Sequence, residues 1–430
     1  MRRGAGPRAR GYGLVQAPVQ SKQGATRRRV LVSSALLGLG VGIDRIFSDA
    51  MSIKGPDELH GFSVPFYGHH QAGIASSQPE HLVFATFDVM DGSSEELRGL
   101  LQEWTAAGAK LARGARSGPS GGEVDGSLRD PGEAIGNGPA GLTITIGFGP
   151  SLFKTIGKQR LIQPKALAPL PLFEGESLER DRSGGDLCVQ ACAGDPQVAF
   201  HAIHVFTRIA SGVATLRWSQ QGFGRTPSTS RDEVTPRNLM GFKDGTNNVR
   251  VENEVEMDAY VWVQPGDGPA WMEGGTYMVV RRIQILLDVW DATSLEGQER
   301  AVGRKKVSGA PLGQESEYDP VDLRARRNDE LAIPADAHIR LASPDVNGGQ
   351  RILRRGFSYT EPSLAGSGQL DAGLFFISFQ RDPRRQFVPI QQRLAANDAL
   401  GRHLLHTGSG VFACPPGVQP GGFIGEGLFA

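Results

Sequence analysis

The alternation between two hydrophobic periods constrains this chain more than any other feature. "HLVFATFDV", residues 81–89, is a near-continuous apolar run of the kind a buried strand shows. "SSEELRGLLQEWTAAGAKL" follows. Ser93 and Glu96 have the spacing of a capping box, and Leu97, Leu100, Leu101, Trp104 and Leu111 recur on one helical face. "GLTITIGFG" (141–149) alternates as a strand does, and "GDLCVQAC" reads as another. "DPQVAFHAIHVFTRIASG" opens with Asp195 as a cap and Pro196 in the first turn, and closes near Gly212. "GVATLRWSQ" is strand-like again. Residues 60–225 therefore read strand, helix, strand, strand, helix, strand. The second half repeats the plan without obvious sequence identity. Strands are expected at 276–287 and 373–380, a helix at 294–305, a broken helix in "FVPIQQRLAANDALGRHLL", and a short last strand in "GVFACPPG". Two split βαβ units give an α+β fold of two ferredoxin-like halves with antiparallel sheets. The boundaries read as 1–50 for an export segment, 51–250 for the first half and 251–430 for the second.

Composition narrows the partners. Lys+Arg 46 cancels Asp+Glu 46, which argues against nucleic acid or an anionic membrane surface as the main partner. The 58 Gly and 27 Pro fit a chain with many turns, and residues 112–140 and 313–335 read as loops. The three cysteines form no disulfide framework. Cys188 and Cys192 lie four apart on one expected strand, about 13 Å, too far to bridge. Neither CxxC nor HExxH occurs, so a zinc site has no support from the sequence.

The N-terminus differs from the rest. Residues 1–29 are basic, and Arg27, Arg28 and Arg29 precede an apolar run of 14 residues, Val30 to Ile43. That run is too short to span a bilayer and suits a signal-peptide core. An arginine pair is what the twin-arginine translocase requires. The expectation is export of an already folded chain to an extracellular or cell-envelope site, with any cofactor loaded beforehand.

The segment "GFKDGTNN", residues 241–248, holds one carboxylate, Asp244, among small and flexible residues. Asp-Gly is first of all a turn dipeptide. Of the nine histidines, His201 and His204 read as a solvated helix face, His69 and His70 as part of an irregular entry segment, and His403 and His406 as surface positions on the last helix. His338 stands apart. It reads as a loop-to-strand histidine in "AIPADAHIRLASP", followed sixteen residues later by the basic pair of "RILRRGFSY".

Together "GFKDGTNN", "AHIRLASP" and "RILRRGFSY" resemble the signature segments of dye-decolorizing peroxidases. "PFYGHHQAGIA", "CVQACAGDPQVAFHAI" and "GRKKVSGAPLG" resemble the exported branch of that family, which includes deferrochelatase-type proteins. The resemblance covers roughly residues 64–425. It implies one haem b per chain enclosed by the two halves, hydrogen peroxide as oxidant, and bulky dyes or phenols as reductants. It assigns His338 as axial iron ligand, Asp244 as distal acid and Arg354 as distal arginine. Gly245, Thr246 and Asn247 would run along the haem, with Ser343 and Pro344 nearby. Leu374 and Phe376 would form an apolar wall, and Arg340 would meet a propionate. Asp398 is the best match for the acid behind the iron-bound imidazole, with Asp371 as the weaker candidate. Tyr359, Trp262 and Trp271 are candidates for carrying electrons from dyes too large to enter. The alternative is a haem-handling protein for iron acquisition, which needs His338 but not Asp244 and Arg354. The sequence fixes no oligomeric state, and a homo-oligomer is compatible with it.

Overall fold

The computed structural model describes residues 61–90, 93–115, 130–156, 161–224, 235–362 and 368–430. The expected export segment lies outside the described residues.

The first half follows the expected order: β1 (His81–Val89), α1 (Ser94–Leu111), β2 (Thr143–Phe148), β3 (Leu187–Ala193), α2 (Pro196–Ile209) and β4 (Ala214–Phe223). Ser93 and Glu96 close a reciprocal capping box on α1. The Asp195 side chain accepts from the Gln197 and Val198 amides at the start of α2. The second half comprises β5 (Thr276–Ile285), α3 (Leu295–Val302), a one-turn helix α4 (His338–Leu341), β6 (Leu353–Arg354), β7 (Phe357–Glu361), β8 (Asp371–Gln380), α5 (Phe387–Asn397) and β9 (Leu404–Cys414). The last strand is longer than expected. It begins at Leu404, inside the stretch read as helix, because a 3₁₀ turn at Ala399–His403 ends the helical run.

Each half has the ferredoxin-like strand order, β2-β3-β1-β4 in the first and β9-β5-β8-β7 in the second. The two sheets do not stay separate. Single antiparallel bridges, Ala413 to Phe148 and Phe223 to Ser358, join their edges, and the β5–β8 pairing completes a closed ring. Closure removes the unpaired edges that two open four-stranded sheets would expose.

Three layers follow from strand alternation. Phe84, Cys188, Met278, Val280, Phe375, Ile377, Phe412 and Cys414 belong to one buried cluster that fills the ring. The other face of the first sheet packs under α1 and α2. Trp104 is fully buried there, within 5.2 Å of both the Phe87 and Phe206 rings, and donates from Nε1 to the Phe206 carbonyl at 2.9 Å. Truncating such a ring costs about 3–5 kcal/mol. The outer face of the second sheet is covered by helix only in part, where Phe387 of α5 packs on Phe376 of β8. It carries Arg281, Ile283 and Ile285 from β5, Leu374 and Phe376 from β8, and Leu404 and His406 from β9, and these line a cavity. The cysteines are buried and unbridged.

Candidate active site

The cavity has a volume of about 560 Å³. Its floor is the second sheet, its roof is α4, α5 and the 3₁₀ turn, and its side walls come from residues 238–247 and 342–354. The segment before β3 contributes Glu174 and Gly175.

The segment around Asp244 is held by its own turns. The Asn238 side chain accepts from the Met240 and Phe242 amides, and Gly241, at φ +83°, reverses the chain where a Cβ would meet Lys306. The Asp244 amide then bonds the Pro236 carbonyl at 2.9 Å, and Gly245 takes φ +127°. The Asp-Gly dipeptide is thus a loop corner on the cavity rather than a hairpin between two strands. Arg354 arrives on β6, paired with Ser378 of β8. Its Nη1 donates to Asp244 Oδ1 at 2.7 Å. Asn248 fixes the relative position of the two segments: its Oδ1 accepts the Arg354 amide at 2.9 Å and its Nδ2 donates to the Arg354 carbonyl at 3.0 Å. Lys243 and Thr246, on either side of Asp244, both bind Glu317.

His338 begins α4 rather than entering a strand, since the Ala337 carbonyl already accepts from Arg340 and Leu341. Its Nδ1 lies 2.6 Å from Asp398 Oδ2. The second Asp398 oxygen accepts the Leu400 amide at 2.9 Å, so the carboxylate cannot swing away. Burial alone would lower the imidazole pKa, but the adjoining Asp398 carboxylate outweighs it and the net shift is upward. About a third of the side-chain surface of His338, 36%, faces the cavity, and its Nε2 has no partner among the described residues. The charges of Asp244 and Arg354 are felt at His338, so the three groups share one electrostatic environment.

An imidazole oriented through Nδ1, with Nε2 turned to a space walled by Leu374, Phe376, Ile283 and Ile285, suits a flat apolar macrocycle with a metal at its centre. The Asp244–Arg354 pair adds an acid–base group and a permanent hydrogen-bond donor on the same space.

Comparison with known proteins agrees. Sequence models of the Dyp-type peroxidase N-terminal and C-terminal regions match residues 71–224 and 235–419. A protein named dye-decolorizing peroxidase from Thermobifida fusca is 35% identical, over 96% of this chain and 99% of its own length. One named deferrochelatase, from Yersinia pseudotuberculosis, is 35% identical over 97% of each chain. The crystal structure of a DyP-type peroxidase from Streptomyces coelicolor superposes with a TM-score of 0.80 at 38% identity, covering 88% of this chain and all of that one. The chain belongs to the Dyp-type peroxidase family. It is a haem-dependent peroxidase, and its cofactor is haem b.

Within this Dyp-type peroxidase the structure brings most of the expected residues onto one cavity: Asp244, Gly245, Thr246, Asn247, His338, Ser343, Pro344, Arg354, Leu374, Phe376 and Asp398 all line it. Leu374 and Phe376 are the two partly exposed positions of β8, with buried residues between and beside them, as period-two alternation requires. Arg340 is placed differently from expectation. Its Nε and Nη2 donate to the carbonyls of Leu323, Ile333 and Pro334, and it does not line the cavity, because the helical turn at 338–341 rotates it away from the His338 face. Asp371 lies elsewhere as well, paired with buried Arg282 at 2.7 Å.

Tyr359 does not reach the surface. It is fully buried inside the ring, beneath the Arg282 guanidinium, because its neighbour Ser358 takes the cavity face. Trp262 is buried and stacks on His70 at 3.6 Å. Trp271 is half-buried against Phe148 and Phe153.

Four histidines also differ from expectation. His201 is buried, with Nδ1 2.7 Å from Glu133 Oε2, and His204 shares the same carboxylate. His403 is buried against Trp290. His406 sits on β9 and lines the cavity, where burial, with Arg281 nearby, pushes its pKa down to about 3. Asn248, Glu317 and His406 were not singled out from sequence. Asn248 alone had a signal, as the last residue of the Asp244 segment.

Proposed function

We propose that His338 would hold the haem iron through Nε2 and that Asp244 and Arg354 together process hydrogen peroxide in the same cavity. The observation that carries this is the shared cavity: an imidazole with a free Nε2 and a 2.7 Å acid–guanidinium pair lie on one space. Bound haem supplies the redox chemistry, drawing oxidising equivalents from peroxide and passing them to reductants. Asp244 accepts the proton from one peroxide oxygen and returns it to the other, so that water can leave. Arg354 keeps its charge throughout and stabilises the negative charge that develops on the departing oxygen. Asp398 holds the His338 ring in one tautomer and increases its basicity, which favours peroxide chemistry over reversible oxygen binding. Leu374 and Phe376 keep the peroxide side apolar and exclude competing water.

A carboxylate, with a reference pKa of about 3.9, remains a base well below neutrality, where an imidazole is protonated. Dye oxidation is therefore expected to peak in the acidic range. A profile peaking near about pH 8 and collapsing by about pH 5 would count against Asp244 as the base. The deferrochelatase reading uses the same pocket, and relatives of that name are as similar as the peroxidases. The Asp244–Arg354 pair favours turnover, since holding haem alone requires neither residue.

We also propose that the chain leaves the cell through the twin-arginine translocase, to act outside the cytoplasm. Arg27 to Arg29 and the apolar run to Ile43 support it. Replacing the arginines with lysine should trap the protein in the cytoplasm, and unchanged export would refute the route.

A further inference from the structure

The loop that carries Asp244 leans on a second loop, residues 303–317, which follows α3. That second loop is tied within itself. The Lys305 amide bonds the Ala310 carbonyl at 2.8 Å, the Gly309 amide bonds the Lys305 carbonyl at 2.9 Å, and the Leu312 amide bonds the Gly303 carbonyl at 3.0 Å. Buried Arg304 draws in its far end, donating from Nη1 to the Gly309 carbonyl at 2.7 Å and to the Glu317 carbonyl at 3.0 Å. Arg237 joins the two loops by donating to the carbonyls of Gly241, Lys306 and Val307.

Glu317 ends the second loop. It is buried and lies outside the cavity lining. Its carboxylate holds three side chains. Oε2 accepts from the Lys243 ammonium, Oε1 accepts from the Thr246 hydroxyl at 3.0 Å, and the Thr235 hydroxyl also donates to it. Lys243 and Thr246 stand one residue before and two residues after Asp244. Gly309 leaves room for the Lys243 arm, since a Cβ there would stand 2.8 Å from Lys243 Cδ and 3.3 Å from Glu317 Cγ. Every one of these bonds joins two protein groups. Asp244 therefore sits between two fixed points, in a stretch with no helix or strand of its own, and from there meets Arg354 at 2.7 Å.

We propose that Glu317 is a positioning residue for the peroxide reaction: by gripping Lys243 and Thr246 it fixes the Asp244 carboxylate where the proton transfer needs it. Position matters because a displacement of about 1 Å at a reacting group costs on the order of 100-fold in rate. The grip also suits an acidic working range. Burial alone would raise the Glu317 pKa, but the Lys243 ammonium and the hydroxyls of Thr235 and Thr246 outweigh it, and the net shift is downward. A carboxylate with a depressed folded pKa contributes fully above its ordinary value, and that contribution is lost as pH falls through the lowered one. The proposal rests on the peroxidase reading and adds to it the residue that holds the base.

The test uses the haem-loaded protein. Hydrogen exchange follows the segment 238–248, and stopped-flow absorbance follows the reaction with peroxide. Glu317→Gln is expected to speed exchange in that segment about tenfold and to slow the peroxide reaction about 10–100-fold, with haem content unchanged. Glu317→Asp, which keeps the charge on a shorter arm, should recover part of both. In an Asp244→Asn background, Glu317→Gln should slow the reaction by no more than about twofold further, because it acts only through Asp244. Full slowing on top of Asp244→Asn, unchanged exchange, faster exchange with an unchanged peroxide rate, or loss of haem would each overturn the proposal. Should Glu317→Gln fail to fold, Thr246→Val breaks one grip without leaving a charge unpaired. It enters the same double-mutant cycle with an expected slowing of about threefold, and additivity there would overturn the proposal equally. An Asp244→Asn rate near that of wild type would count against the peroxidase reading of Asp244 instead, while the exchange measurement would still decide whether Glu317 holds the segment.

Discussion

His338→Ala is expected to remove the Soret band of the purified protein. The Nε2 of this residue faces the cavity with no partner among the described residues, and of the two histidines lining that cavity, His338 and His406, only His338 has a carboxylate on Nδ1. Losing a residue that only orients a metal ligand costs about 10–100-fold in affinity, so losing the ligand itself should cost more. Haem content after gel filtration is the measurement. Asp398→Asn is the informative companion. It keeps the geometry of the 2.6 Å contact but removes its charge, so haem should remain bound while the iron's reduction potential rises. His406 is the competing imidazole on the same cavity. A Soret band that survives His338→Ala and disappears in His406→Ala would reverse the assignment of the two sides.

Asp244→Asn should leave the Soret band in place and slow the reaction with peroxide by about 10²–10⁴-fold, the range general acid–base groups contribute. The amide is isosteric and can still accept from Arg354 Nη1, so the 2.7 Å contact has a substitute and the fold loses little. What disappears is the ability to take up a proton. Stopped-flow absorbance against peroxide concentration measures the effect directly. A rate within about tenfold of wild type would transfer the proton to another group, and Arg354→Leu would show whether the guanidinium carries the larger share. Asn248 provides a control at one remove. It touches neither peroxide nor haem in this scheme, but clamps Arg354 through both its backbone groups.

Local sequence signals located the elements well where the signal was itself local. The Ser93–Glu96 box and the Asp195 cap mark helix starts, because capping is decided within four residues. The buried stripe of α1 follows from its leucines and Trp104. The β9 start was obscured because Leu404, Leu405 and His406 continue a helical spacing, and only pairing with β5 makes them strand. His201 and His204 were read as solvated for a similar reason. Their partner Glu133 lies 68 and 71 residues away in the chain, within a loop of no periodic pattern.

Read along the chain alone, the residues give the order of strands and helices, the doubling of the ferredoxin-like plan and, through three motif segments, His338, Asp244 and Arg354 as the candidate reactive residues. These depend on side-chain period and on short-range chemistry, which a linear chain records directly. Packing between distant segments settles that the two sheets close into one ring and that the cavity lies on the outer face of the second. It also turns Arg340 away to backbone carbonyls while His406 faces the cavity. Such outcomes depend on which way a side chain points once distant segments have packed, and in a strand or a one-turn helix a shift of a single residue reverses that direction.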